Sequence, residues 1–263
     1  MTYNDNDNDN DIIVDFDDVH HEFGGVAAVE QLNLKVHKGE RLAILGRTGA
    51  GKSTVLNLLI GNLDPTSGSV RIAGRNPYTE HHELRSLIGM AFQTPRLLPW
   101  RKAVDNVAVG QEILKVGKSK RRAHAREWLD KMHLSDSYDK YPGQLSGGMR
   151  QRVSLARAFA IDPALVLLDE SFSALDEVTA RSLREDFCAL ADQEQKTALI
   201  VTHNIEEAFA IAHRVIVLGR PAKILAEYDT AREPSIGTTE FTELRGQVRE
   251  MLTSTAGGIT ARG

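Results

Sequence analysis

Residues 41–53 read RLAILGRTGAGKS. An apolar run, Arg41–Leu45, breaks into a loop with glycines at 46, 49 and 51, and Lys52 and Ser53 open a stretch with helical spacing. Gly46, Gly51, Lys52 and Ser53 fill the pattern G-x-x-x-x-G-K-[ST] in the strand-loop-helix setting that gives it meaning. Such a loop works only where a buried strand delivers the chain to a helix N-terminus, which commits the neighbouring chain to an α/β architecture. The glycines let backbone wrap around a phosphate without Cβ clashes, and the helix start adds free amides and a favourable dipole. Lys52 would neutralise terminal phosphates and the Ser53 hydroxyl would ligate magnesium. Arg47, Thr48, Gly49, Ala50 and Thr54 complete the candidate nucleotide cradle. At average residue frequencies the pattern arises by chance in roughly one chain of this length in a hundred.

The rest of the chain fits that commitment. IIVDF, LNLKV and VRIAG read as strands near the front, and LVLLD, TALIVT and RVIVL as strands near the back. Helical spacing runs over Ser53–Leu59, Val178–Ala191 and Ile205–Ala212. The back strands are continuous apolar runs separated by helices, as in a parallel sheet covered on both faces. Between Pro95 and Ala160 strands give way to polar helical stretches, which reads as an inserted helical lobe over 95–160. The core then spans 12–94 and 161–228, and 229–263 forms a tail with a helix near Phe241–Met251. The NDNDNDND alternation, Asn4–Asp11, within a tail spanning 1–11, buries nothing and is expected to be disordered. It lacks the glycine and late glutamate of a calcium loop.

Composition narrows the setting. A net charge of -4, with 32 basic and 36 acidic residues, gives no global field for nucleic acid or anionic lipid. The Lys118–Arg122 run reads as a solvated helix start. No secretory segment opens the chain and no apolar run reaches a membrane span, so a cytoplasmic location is expected. The single cysteine, Cys188, fits a reducing compartment and an inert place in a helix.

Two further strand ends and one helix start carry chemistry. Asp169 ends LVLLD and Glu170 follows it, at the carboxyl end of a buried strand, where open sheets present ligand groups. Asp169 would hold magnesium and Glu170 would polarise a water. His203 ends LIVTH and is expected at the terminal phosphate. LSGGMRQR, from Leu145 to Arg152, opens a second helix whose apolar residues Met149, Val153, Ala156 and Ala160 recur at helical spacing.

With LSGGMRQR in place, the sequence resembles the ATP-binding-cassette ATPases, the nucleotide-binding subunits of membrane transporters. The resemblance runs from about Val14 to Tyr228, with the motifs in the family's order. It adds Gln93 in AFQTPRLLPW, SALD from Ser173 to Asp176, and Phe23 as the aromatic that stacks on adenine. It implies a P-loop NTPase (RecA-like) core with an antiparallel β subdomain and an inserted α-helical subdomain. It implies ATP and magnesium, with Lys52, Gln93, Glu170 and His203 in catalysis and Ser53, Gln93 and Asp169 at the metal. Ser146, Gly147, Gly148 and Gln151 of the signature would meet the nucleotide of a second copy, giving a homodimer with two shared sites. Two positions depart from the family's usual residues: Phe23 stands for tyrosine, and Ser171 replaces a proline after Glu170, leaving that backbone less restricted.

The wording QTPRLLPWRKAVDNVAVG resembles importers of nitrate, alkylsulfonates and taurine. That implies a peripheral place on the inner face of the cell membrane, integral membrane permease subunits as partners, and a periplasmic or extracellular solute-binding protein as an indirect one. Leu97, Leu98 and Trp100 either pack inside the helical lobe or lie near the permease groove. An exporter or lipid-extraction ATPase remains the alternative. Neither long coiled-coil heptads nor a second cassette is present, so partners among nucleic acid or ribosomes are not expected. With only a short stretch after Tyr228, an appended regulatory domain is not expected.

Overall fold

The computed structural model of the chain describes residues 11–254. The Asn4–Asp11 alternation therefore lies outside the described residues apart from Asp11, as does the chain after Ser254. The described residues form two compact units: one holds residues up to 84 and from 202 onward, the other residues 85–201.

In the first unit, β1 (Ile12–Phe23) pairs antiparallel with β2 (Val26–His37) and, on its other edge, with β4 (Ser67–Ile72). Val14, Phe16 and Val19 are buried along β1, with a register shift between Phe16 and Val19 that breaks strict alternation. β3 (Arg41–Leu45) is buried at every position and pairs in parallel with β8 (Arg214–Leu218). β9 (Ile224–Asp229) pairs antiparallel with β8. After the loop comes α1 (Lys52–Leu59).

Two helices cover this unit's sheet: α7 (Ile205–Ile211) and α8 (Thr239–Ser254). Phe241, Leu244, Val248 and Leu252, spaced three and four apart, bury one stripe of α8 in a cluster with Phe209, Val215 and Val217. Each such burial is worth about 1.5–3 kcal/mol. Arg214, in a side-chain environment 13% exposed, pairs with Glu40 at 2.6 Å and Glu227 at 3.1 Å, fastening β8 to the turn before β3.

In the second unit, β5 (Ile88–Ala91), β6 (Leu165–Asp169) and β7 (Thr197–Thr202) pair in parallel. The helices are α2 (Ala103–Val107), α3 (Val109–Ile113), α4 (Lys118–Lys131), α5 (Gly147–Phe159) and α6 (Glu177–Gln193). Trp128 stacks on Phe159 at 5.3 Å, and Phe187 meets Phe159 and Phe172 at 6.1 Å each. Buried Asn106 donates to the carbonyls of Leu98, Arg101 and Lys102 and accepts the Leu98 amide, so one side chain fixes the start of this helical region.

The basic run of α4 is neutralised locally: Arg121 meets Glu112 at 3.4 Å and Arg122 meets Asp105 at 3.5 Å. Cys188 is half-buried on α6. Among the described residues no helix is long and apolar enough to cross a membrane.

Candidate functional site

The first unit supplies the glycine loop. β3 ends at Leu45 and the Gly46 amide donates to the Thr202 carbonyl at 3.3 Å, which sets the loop beside the residue preceding His203. Gly51, the residue before α1, has φ +85, and a side-chain carbon there would stand 2.5 Å from the Ala28 carbonyl oxygen and 2.8 Å from the Ala222 Cβ. Only glycine fits both the dihedral and the space. Lys52 is 6% exposed, and its ammonium donates to the Gly46 carbonyl at 2.5 Å and the Arg47 carbonyl at 3.1 Å. A cation is thus folded over the loop, at the N-terminus of a helix with no side-chain cap of its own. The Ser53 side chain is exposed and its backbone carbonyl accepts from Asn57.

Phe23 closes β1 and is 53% exposed. The His21 ring forms a T-shaped pair with it at 4.6 Å and is itself held by the Asp64 carbonyl, 3.0 Å from Nδ1. His203 is exposed just after β7, and Asn204 caps α7 by accepting the Glu207 amide.

The second unit brings Gln93, Glu170 and Ser173 together. The Gln93 amide donates to the Glu170 carboxylate at 3.5 Å and to the Ser173 hydroxyl at 3.3 Å. Glu170 has φ +46, a dihedral that few non-glycine residues adopt, and its amide donates to the Val201 carbonyl at 2.9 Å. The residue that replaces proline carries its own restraint: Ser171 is buried and its hydroxyl donates to the Ala91 carbonyl at 3.0 Å. The backbone after Glu170 is therefore tied to the end of β5, not loosened. Asp169 is half-buried at the end of β6.

Ser146 caps α5, its hydroxyl oxygen accepting the Met149 amide at 3.2 Å while its own proton is left to donate. Gly148 faces α6 so closely that a side-chain carbon would stand 2.5 Å from Thr179 Cγ2. Gln151 is 2% exposed and donates to the Phe92 carbonyl at 3.0 Å. It ties α5 to the residue before Gln93 and is buried. Asp176 caps α6; the Thr179 backbone amide holds its carboxyl below the usual range.

Leu97 and Leu98 are half-buried, whereas Trp100 is 70% exposed. Trp100 rims a cleft of about 270 Å³ with Arg101, Lys102, Arg121, Arg122 and Tyr141. Arg220 is the functional candidate that sequence reading passed over. Its guanidinium comes to the loop from the turn after β8, and nothing in the local sequence signals that approach.

The ABC transporter family matches residues 29–173, more than half of the chain. The bicarbonate transport ATP-binding protein CmpD of Synechocystis sp. is 41% identical over 74% of this chain and 68% of its own length. The nitrate import ATP-binding protein NrtD of Synechococcus elongatus is 36% identical over 87% and 86%. The taurine import ATP-binding protein TauB of Escherichia coli is 39% identical over 79% and 80%. Among solved structures, the dimeric post-hydrolysis state of the ATP-binding cassette MJ0796, bound to ADP and Pi, has TM-score 0.73 and 32% identity, covering 83% of this chain and 99% of that one. The fold is the α/β P-loop NTPase fold with an antiparallel β subdomain, as the motifs imply.

Proposed function

The chain belongs to the ABC transporter family, and on that premise we propose that it is the ATP-hydrolysing subunit of a membrane importer for a small anion. The names of its relatives, which concern bicarbonate, nitrate and taurine, support that cargo class, with nitrate, a sulfonate or taurine as the specific choices. The observation that carries the hydrolytic reading is the phosphate loop, with Lys52 turned onto the Gly46 and Arg47 carbonyls at an uncapped helix start.

Phe23, 53% exposed at the end of β1, stacks on the adenine through its ring. The amides of Gly46–Thr54 and the Lys52 ammonium hold the β- and γ-phosphates. Ser53, Gln93 and Asp169 offer a hydroxyl, an amide oxygen and one carboxylate. That all-oxygen set fits magnesium, which takes few protein ligands and completes its shell with phosphate and water. When bound, magnesium neutralises charge on the phosphate oxygens. Glu170 orients the attacking water and receives its proton, and the Gln93 amide aims the carboxylate. His203 donates to the γ-phosphate.

The amides of Ser146, Gly147 and Gly148 meet the γ-phosphate held by a second copy of the chain. ATP then bridges two protomers, and hydrolysis removes the group that joins them. Gln151 positions the signature helix. The membrane permease subunits receive the stroke, with the Trp100 cleft as their docking surface, and a solute-binding protein outside delivers the cargo. The protein works on the inner face of the membrane.

Glu170→Gln tests this reading. ATP binding persists, steady-state hydrolysis falls at least about 100-fold, and an ATP-bound dimer accumulates on size-exclusion chromatography. Turnover close to that of the unmodified chain overturns it.

A further inference from the structure

Arg220 sits on the turn between β8 and β9, exposed to solvent. A side-chain carbon built on Gly49 would stand 3.6 Å from its Nη1 and 3.9 Å from its Cζ. The guanidinium thus lies against the backbone of the phosphate loop, at a residue whose φ of +82 belongs to glycine. Most arginines of this chain that reach a neighbour end on a carboxylate or a carbonyl, as Arg41, Arg152, Arg157 and Arg214 do. Arg220 has neither a hydrogen bond nor an ion pair among the described residues.

Its place is fixed from both sides. The Gly219 amide donates to the Lys223 carbonyl at 2.9 Å, closing the turn. The Ala222 amide donates to the Ala28 carbonyl at 2.9 Å and its carbonyl accepts the Glu30 amide at 3.1 Å, fastening the turn to β2. Ala222 Cβ is also part of the wall that demands glycine at 51. The same turn therefore shapes the loop from behind and carries a cation to it. Lys52, the loop's own cation, already spends donors on the loop carbonyls, so a guanidinium beside Gly49 adds positive charge without competing for them.

We infer that Arg220 binds the polyphosphate of the nucleotide at the Gly49 side of the loop, as a second cation that favours ATP over nucleotides with fewer phosphates. The inference rests on Gly46–Ser53 being the phosphate loop. It is tested with the full chain by competing ATP, ADP and AMP against a fluorescent ATP analogue, for Arg220→Ala, Arg220→Lys and Lys52→Ala. Arg220→Ala weakens ATP about tenfold, ADP less, and leaves AMP unchanged; Arg220→Lys recovers much of the ATP affinity, and raising the salt concentration shrinks the difference.

Unchanged ATP affinity in Arg220→Ala, or an equal loss for all three nucleotides, overturns the inference. If Lys52→Ala weakens ATP and Arg220→Ala does not, only the role of Arg220 fails. If Lys52→Ala also leaves ATP binding intact, the phosphate-loop reading fails with it.

Discussion

Gly51→Ala separates what the loop requires from what any turn requires. Alanine at φ +85 costs about 1–2 kcal/mol of backbone strain. Its Cβ would also stand 2.5 Å from the Ala28 oxygen and 2.8 Å from the Ala222 Cβ, where carbon contacts normally begin at about 3.5 Å. Neither neighbour yields alone, because the Ala28 carbonyl accepts the Ala222 amide at 2.9 Å and moving one moves both. Overpacking of this kind adds about 1–3 kcal/mol, for a total near 2–5 kcal/mol. Gly74→Ala is the internal control: φ is +77 and nothing lies within 4 Å, so only the strain of about 1–2 kcal/mol applies. Urea denaturation of both variants without nucleotide reads the difference as a shift in midpoint at constant slope. ATP affinity falls in Gly51→Ala, because the loop and the turn bearing Arg220 are pushed apart, and is unchanged in Gly74→Ala. Equal losses of stability, within about 0.5 kcal/mol, refute the claim that the Ala28–Ala222 wall dictates glycine here.

Other perturbations follow from single contacts. Ser171→Ala strands the Ala91 carbonyl at the end of β5 and costs about 1–3 kcal/mol in chemical denaturation, with turnover falling more than ATP affinity because Glu170 is the residue released. Glu40→Gln leaves Arg214, whose burial opposes its charge and whose carboxylate partners restore it, with Glu227 as its one carboxylate beside the Lys35 carbonyl; the loss is about 3 kcal/mol and exceeds that of Glu227→Gln in the same assay. Asp176 has its carboxyl held below the usual range by the Thr179 amide, so its contribution is present at neutral pH and fades as pH falls through the lowered folded value. Asp176→Asn keeps an acceptor on Thr179, and a flatter dependence of melting temperature on acid pH checks the assignment.

The glycine loop, β3, α1, β6, β7 and β8 were legible because buried strands and loop motifs write themselves in consecutive residues. β5 was not: it is four residues long and includes Gly89, which the carbonyl of Ala158 on α5 leaves no room to replace. β9 was missed because ILAEYD, at the end of the core, alternates half-buried and exposed residues and carries no continuous apolar run. β1 and β2 outrun the apolar cores IIVDF and LNLKV, since register shifts let polar residues such as Asp17 and His20 remain in strand. At the site, residue types were legible and their mutual contacts were not. The Gln93–Glu170 bond, the Ser171 tie to Ala91 and the approach of Arg220 to Gly49 join residues far apart in sequence, and no local pattern encodes such pairings.

The central claim is that two copies of the chain each contribute half of an ATP site, and mixing two inactive variants tests it most directly. Lys52→Ala removes the loop's cation and Ser146→Arg blocks the signature helix start, so neither variant associates on addition of ATP by itself. Mixed, they form a heterodimer in which the Ser146→Arg chain supplies an intact loop and the Lys52→Ala chain an intact signature. Light scattering should then report ATP-dependent association in the mixture alone. A mixture that stays monomeric with ATP, while the unmodified chain dimerises under the same conditions, contradicts the account.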